Sequence, residues 1–160
     1  MREKIIKKDF YELLTLEEIK HFLRISGNFE DELLINLKDT VITFAESRLE
    51  KEILLKEFEI EGTFAGQIIL KTPLLCVNSL VSEGENINYK LFKNKLIPDL
   101  KIGEEFTLNY TAGMLEEEIK SDFKLALLHH ILSLYDLRES GGKVPFFTSQ
   151  VYERYKNIKL

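Results

Sequence analysis

"TAGMLEEEIKSDFKLALLHHILSLYDLRESGG", which spans Thr111–Gly142, is the stretch that decides the fold. Its first residues end an extended segment, and Gly113 breaks that segment. Glutamates follow at 116–118, where negative charge stabilises the positive end of a helix. The pattern then predicts a long helix over about Glu117–Glu139, which two glycines end.

Apolar residues lie on two opposite sides of this predicted helix when each residue is placed about 100° from the last. One side gathers Phe123, Ala126, Leu127, His130, Leu134 and Leu137. The opposite side gathers Leu125, Leu128 and Leu132. A helix that is apolar on opposite faces is buried on both. In a chain this small, one face packs on its own domain, and the second meets the sheet, another helix or another subunit.

The two adjacent histidines of this helix do not form a metal site in this interpretation. His130 lies on the first side and His129 points away from it, because neighbouring residues on a helix do not face each other. The third histidine, His21, is on a different predicted helix. No HExxH spacing, paired cysteines, glycine-rich phosphate loop or G-x-S-x-G turn is present. We therefore expect structural roles for both histidines, no catalytic or metal residues, no cofactor and no enzymatic activity.

The composition is that of an ordinary globular protein. The chain has 160 residues, 44% hydrophobic residues and a net charge of -5. It has no apolar stretch long enough to span a membrane and no pattern typical of a secretion signal, so we expect the cytosol and no membrane partner. The single cysteine, Cys76, lies in the apolar run "LLCVNSLV" and is expected to be a small buried residue.

The basic residues near the N-terminus have two interpretations. Lys4, Lys7 and Lys8 form the one basic cluster of note. A solvated tail is favoured over a nucleic-acid contact, because proteins that grip DNA phosphates need a larger basic patch.

Two helices are predicted before residue 56. Thr15 and Glu18 have the spacing of a capping box, which predicts a helix start, and Gly27 is expected to end that helix. Asn28 is a plausible cap for a second helix, which we expect to run to about Ile53.

The middle of the chain predicts strands, and the end of the chain predicts a tail. From Phe58 to Thr111, alternating and short apolar runs indicate an antiparallel sheet of four or five strands. After Gly142 comes "VPFFTSQVYERYKNIKL", which is rich in aromatic residues. Composition alone leaves two alternatives open for this tail: it folds back on the core, or it docks on a neighbour as an arm.

The order of these features resembles the phage head-tail connector family, also called adaptor or head-completion proteins, which has relatives in gene transfer agents. The resemblance covers about Leu14 to Tyr155, beginning with "LTLEEIKHFLRISGNFEDELLINLKDTVITFAESRLEK" and continuing with "ILKTPLLCVNSLV". Its most specific element is a "YTAG" turn followed by a helix that ends "LY-x-x-RE". Its residues are Tyr110, Thr111, Ala112, Gly113, Leu134, Tyr135, Arg138 and Glu139.

The resemblance implies a fold and a domain organisation. The fold expected is α+β: mainly a helical bundle with a small antiparallel β insertion. A single connector domain over 1–160 would have N-terminal helices at 1–56, the β insertion at 57–112, the long helix at 113–140 and a C-terminal arm at 141–160.

The resemblance also implies a function and partners. Family members form a ring beneath the portal protein of a packaged capsid, extend the DNA channel and present a surface to the next tail or stopper protein. The expected partners are therefore the portal protein, a tail or stopper protein, copies of the chain itself, and double-stranded DNA passing nearby without specific contact. The expected location is the head-tail junction of the virion, with the host cytoplasm before assembly.

Two sets of site residues follow from that implied function. C-terminal segments in such proteins commonly reach into the portal, so the candidate portal-binding arm comprises Val144, Phe146, Phe147, Val151, Tyr152 and Tyr155. The second apolar face of the long helix supplies the candidate subunit-interface residues Leu125, Leu128 and Leu132. A different phage binding module, such as a tail terminator or a host-factor inhibitor, is the alternative function.

Overall fold

The structure is a computed structural model that describes residues 1–8, 10–136 and 143–158. Its strands are β1 Arg2–Lys7, β2 Lys56–Thr63, β3 Ile68–Ile69, β4 Leu74–Ser82, β5 Glu85–Asn86, β6 Tyr89–Phe92, β7 Lys95–Pro98 and β8 Glu105–Ala112. Its α-helices are α1 Leu16–Leu23, α2 Asp31–Leu49, α3 Ser121–Asp136 and α4 Phe146–Asn157. None of these helices is both long enough and apolar enough to cross a bilayer.

The chain divides into two compact units. The β unit comprises Met1–Tyr11 and Leu54–Leu115, and the helical unit comprises Glu12–Ile53 and Glu116–Leu160. Each unit is thus built from separated parts of the sequence. The prediction of one connector domain over 1–160 concerns both units acting together, and it stays a prediction.

The prediction of a mainly helical bundle with a small β insertion is wrong, although the class is α+β. The described residues hold eight strands in two antiparallel sheets, and about 28% of residues are in strands. The sequence pattern missed strands for two reasons. β1 exists through its pairing with the distant β2, and β5 has two residues, too few to show alternation.

The larger sheet has the strand order β1-β2-β8-β4-β5. Its central strands are paired so that Phe58 lies opposite Tyr110 and Ile60 opposite Leu108. The rings of Phe58 and Tyr110 stack with their centroids 5.1 Å apart. Because alternate residues of a strand share a face, this register puts all four side chains on one buried side.

The smaller sheet has the order β3-β7-β6 and contributes to the same core. Ile68 and Leu91 both pair with Leu96, so these three residues form one row across the sheet. Ile68 and Leu96 are buried together with apolar residues of the larger sheet. The rest of this core is Phe58, Ile60, Phe64, Leu70, Leu80, Phe106, Leu108, Tyr110 and Ala112.

The basic N-terminal segment is an edge strand rather than a free tail. All residues of β1 are solvent-exposed, as expected, but the strand pairs with β2 along its length. Lys4 Nζ lies 2.5 Å from Glu59 Oε1. The Tyr110 hydroxyl donates to Glu3 Oε1 over 2.7 Å, which ties β1 to the sheet.

The prediction that Cys76 is buried is wrong. The side chain is exposed on β4, and its sulfur lies 3.0 Å from Asn78 Oδ1. The pairing of β4 with β8 shifts register between Leu74 and Cys76. Such irregularities re-aim side chains, so an apolar run alone does not settle which residues face inward.

The helical unit begins as predicted and differs at its helix ends. Thr15 forms the expected capping box with Glu18. α1 nevertheless ends at Leu23, because Arg24 adopts the left-handed conformation, before Gly27 is reached. In α2, Glu30 occupies the capping position expected of Asn28, and the helix ends at Leu49, short of the predicted Ile53.

The long predicted helix is shorter than expected at its start. The glutamates at Glu116–Glu118 form a single 3-10 turn, and α3 begins at Ser121. α3 is described to Asp136, so the predicted end of the helix at Glu139 lies outside the described residues.

Candidate functional site

The C-terminal segment folds back and forms α4 on the other helices of its unit. Thr148, Val151, Tyr152 and Tyr155 are all buried. The Thr148 hydroxyl donates to the backbone carbonyl of Ala126 on α3 over 3.0 Å. Of the two alternatives for the tail, the structure therefore has the fold-back for α4.

His130 and Tyr152 meet at the centre of the helical unit. Both are buried, and His130 Nδ1 lies 3.1 Å from the Tyr152 hydroxyl oxygen. The Phe44 ring packs edge-on against the imidazole at 5.0 Å. Burial lowers the pKa of His130 and raises the pKa of Tyr152, so both rings are neutral at pH 7. This confirms the placement of His130 on the buried side of its helix.

Acidification is expected to destabilise the helical unit through His130. The unfolded chain takes up the imidazole proton near pH 6.5, whereas the folded chain resists it to a lower pH because its pKa is lowered. As the pH falls from about 6.5 toward the lower pKa of the folded chain, the unfolded state binds more protons than the folded state. The free energy of unfolding therefore decreases as the pH is lowered. This single group can change the free energy of unfolding by at most about 1.4 kcal/mol per pH unit.

Urea denaturation of the wild type and His130→Gln from pH 7.5 to 5.5 measures this effect. We expect the unfolding free energy of the wild type minus that of His130→Gln to decrease as the pH is lowered across that range. The control His129→Gln makes the same substitution at the neighbouring, half-buried position of the same helix. Parallel pH profiles for the wild type and His130→Gln would contradict the assignment.

Tyr155 attaches α4 to the start of α3. Its hydroxyl donates to Asp122 Oδ1 over 3.1 Å and accepts from the Lys120 backbone N–H over 3.3 Å. Its ring centroid lies 4.6 Å from that of Phe123. On the exposed side of the same helix pair, Arg154 Nη2 lies 2.7 Å from Asp122 Oδ2. These contacts hold α4 in one position on the unit.

The predicted arm residues therefore separate into two groups. Val151, Tyr152 and Tyr155 are buried in the helical unit. Phe146 is 78% exposed and Phe147 is 40% exposed at the start of α4, with Val144 half-buried before them. A partner can reach the second group without any unfolding of the first.

The predicted subunit-interface leucines form a partly open face of α3. Leu125 is exposed, and Leu128 and Leu132 are half-buried. On the same helix, the ring of His129 lies 5.3 Å from that of Phe22 and 5.8 Å from that of Phe147. Within the described residues, no group of three or more histidine, cysteine or acidic side chains could hold a metal ion.

The "YTAG" turn joins the last strand to the segment before α3. Gly113 has φ of +130°, and its N–H donates to the Pro73 carbonyl over 2.8 Å. Farther along, the Tyr135 hydroxyl donates to Glu30 Oε2 over 2.6 Å. Arg138 and Glu139, the last residues of the motif, lie outside the described residues.

The sequence interpretation overlooked an apolar surface in the β unit. Ile69, Phe92 and Ile97 are 51%, 60% and 41% exposed on the smaller sheet. In the segment "YKLFKNKLI", alternation places Lys90 and Phe92 on one face of β6, and Lys95 and Ile97 on one face of β7. That alternation was visible, but the pairing of β6 with β7 that defines the face was not.

The class of this protein follows from its match to a known family. A family profile for phage gp6-like head-tail connector proteins matches residues 13–153. The chain belongs to that family, as the order of its motifs predicted, and it has the role of a structural head-tail connector.

Solved structures of the same fold come from gene transfer agent particles. A chain from the neck of an empty particle, computed with C6 symmetry, aligns with this protein at a TM-score of 0.74 and 19% identity. The alignment covers 100% of this chain and 97% of the neck chain. The native virion aligns over the same shares with a TM-score of 0.72 and 19% identity. The native neck computed with C12 symmetry has a TM-score of 0.71 and 16% identity, again over 100% and 97%. At these identities the likeness shows the fold alone.

A search of curated protein sequences found no match to this chain.

Proposed function

We propose that copies of this chain form a closed ring on the portal protein of a phage, prophage or gene transfer agent particle. The ring extends the DNA channel and presents its far side to a tail or stopper protein. The observation that carries the proposal is the family match over residues 13–153. The necks of similar fold that were computed with six-fold and twelve-fold symmetry support a ring. The chain would enter the virion from the host cytoplasm.

The portal contact is made by the exposed start of α4. Phe146 and Phe147 are adjacent aromatic residues, and exposed aromatic side chains are effective anchors at interfaces. Val144 precedes them and extends the apolar surface. Val151, Tyr152 and Tyr155 act indirectly, because their burial fixes the helix that carries the two phenylalanines.

Contacts between neighbouring copies include the open leucine face of α3. A ring needs two different surfaces that meet at each subunit boundary. Leu125, Leu128 and Leu132 belong to one of these surfaces, because they leave apolar area uncovered on their own unit.

The role proposed for the channel is passive rather than enzymatic. Duplex DNA passes near the ring without specific contacts, and the net charge of -5 keeps the ring from attracting it. The role needs no cofactor.

Sedimentation of the chain with its cognate portal tests the portal contact. The wild type should co-sediment with portal rings, and Phe146→Ser/Phe147→Ser should weaken binding by about tenfold or more, as expected for loss of aromatic anchors. Phe29→Ser is the matched control, because Phe29 is fully exposed at the turn before α2. Point variants are preferable to removal of the tail, since α4 is part of the buried core.

Three results would contradict the proposal. The wild type could fail to bind the portal at high concentration, or the double variant could bind as the wild type does. Phe29→Ser could also weaken binding as much as the double variant does. Binding would then depend on exposed aromatic residues in general and not on the start of α4. Circular dichroism of each variant checks that its fold is intact.

A further inference from the structure

The outer face of the smaller sheet combines apolar residues with lysines. Residues that pair directly across antiparallel strands share a face. Ile69 and Phe92 both pair with Lys95, and Lys90 pairs with Ile97. Ile68 and Leu96 on the opposite face of the same sheet are buried, so these five residues face outward. We call this surface the basic sheet face.

The basic sheet face has positive charge available for an external partner. β3, β6 and β7 contain no acidic residue. Lys90 and Lys95 are exposed, and neither takes part in an ion pair with any residue that the structure describes. In a chain whose net charge is -5, such a local excess of lysine beside exposed apolar side chains favours an acidic partner with an apolar centre.

The same unit carries a surface with the opposite properties. An open cavity of about 550 Å³ lies at one end of the larger sheet. Glu61, Glu83 and Glu105 line it, with Arg2 as the one basic residue, and Val81 and Phe106 contribute to its wall. We call this surface the acidic notch. It shares no residue with the basic sheet face, so both can be occupied at once.

From this complementarity we infer that the basic sheet face of each copy docks on the acidic notch of the next copy in the ring. The inference rests on the proposed ring. A head-to-tail ring needs two different patches on each subunit, and one chain here supplies both. Single exposed ion pairs contribute little affinity, so Phe92 and its apolar neighbours supply the attraction while the lysines set the register.

DNA is the competing occupant of the basic sheet face, and the apolar residues argue against it. Phosphate binding uses lysine and arginine and gains nothing from exposed isoleucine. Ile69 and Ile97 lie beside the lysines on this face, and burying them requires an apolar surface. A protein neighbour provides that surface.

Charge reversal in three variants tests the inference. Lys90→Glu/Lys95→Glu makes both patches acidic, and Glu83→Lys/Glu105→Lys makes both basic. Either change should raise the concentration needed to complete the ring on the portal by about tenfold or more. The variant with all four substitutions restores opposite charges, so it should assemble within about threefold of the wild type.

The number of copies held by each portal ring, measured by native mass spectrometry, is the readout. Lys7→Glu/Lys8→Glu is the control, because it changes the net charge equally at the far end of β1 and touches neither patch. Phe92→Ser should also impair ring completion. The inference would be overturned if either pair of substitutions alone still gave complete rings. It would also be overturned if the variant with all four substitutions did not restore ring assembly.

Two further results separate this inference from the proposed function. Reversed variants that still dock on the portal as isolated copies, without completing the ring, support the inference. If the wild type does not bind the portal, the proposed function fails, and sedimentation equilibrium of the isolated chain then tests the inference. Absence of self-association that responds to these reversals would overturn it.

Loss of duplex DNA binding by Lys90→Glu/Lys95→Glu with intact rings would also overturn the inference, and would assign the basic sheet face to DNA.

Discussion

Replacement of Tyr152 with alanine is expected to lower the free energy of unfolding by about 3–5 kcal/mol, the range for large aromatic truncations in a core. The ring is 1% exposed, and its centroid lies 5.9 Å from that of Phe123 and 6.0 Å from that of His130. Truncation leaves a cavity that the helices cannot close, because interiors are close-packed. It also removes the hydroxyl beside His130, which leaves a buried polar atom without that contact.

Urea denaturation measured at pH 7.5 tests this expectation. Tyr152→Phe keeps the ring and loses only the hydroxyl, so its cost should be about 1 kcal/mol. Tyr89→Ala truncates an exposed tyrosine on β6 and should cost less than about 1 kcal/mol. If Tyr152→Ala and Tyr89→Ala had equal effects, the packing of α4 described above would be wrong.

The Tyr152 substitution should also reduce portal binding, although the residue is buried in its own unit. Tyr152 holds α4, and α4 carries Phe146 and Phe147. The loss of binding should therefore follow the loss of folded protein as temperature rises. A binding defect in Tyr152→Ala at temperatures where the protein is fully folded would instead assign the tyrosine a direct contact.

Replacement of Gly113 with alanine should be comparably destabilising, through the β unit. The backbone at Gly113 has φ of +130°, a region that side chains disfavour at a cost of about 1–3 kcal/mol. An added Cβ would also lie 2.4 Å from the Leu54 carbonyl oxygen and 2.7 Å from Leu55 Cα. Backbone atoms cannot rotate away, so overpacking adds about 1–3 kcal/mol more.

A second glycine provides the control for the Gly113 prediction. Gly84 also has positive φ, at +83°, but an added Cβ there meets no atom within 4 Å. Gly84→Ala should therefore show the backbone cost alone, about 1–3 kcal/mol. Thermal unfolding of both variants measures the difference. Equal losses would mean that the close approach of the Leu54 backbone is absent in solution.

Features set by neighbouring residues could be predicted from the sequence. Thr15 and Glu18 are three residues apart, and their capping box forms within one helical turn. His130 lies on the apolar side of a regular helix, so periodicity alone placed it in the core. The strand-turn-helix order around Gly113 depends on local conformational preference, and it is the most specific part of the order of features that resembles the family.

Features set by distant residues could not be predicted. β1 is a strand because β2 pairs with it, and Cys76 is exposed because the pairing of β4 with β8 shifts register. The C-terminal segment could have been an arm or a core helix, since composition does not say which surface its aromatic residues meet. The basic sheet face likewise depends on the register of β6 against β7.

Electron microscopy of the chain bound to its cognate portal tests the central claim, that this is a ring-forming connector. The account predicts a closed ring of copies seated on the portal, with density for the start of α4 against the portal surface. Portal particles that carry no added layer, or copies bound singly with no contact to one another at saturating concentration, would contradict it.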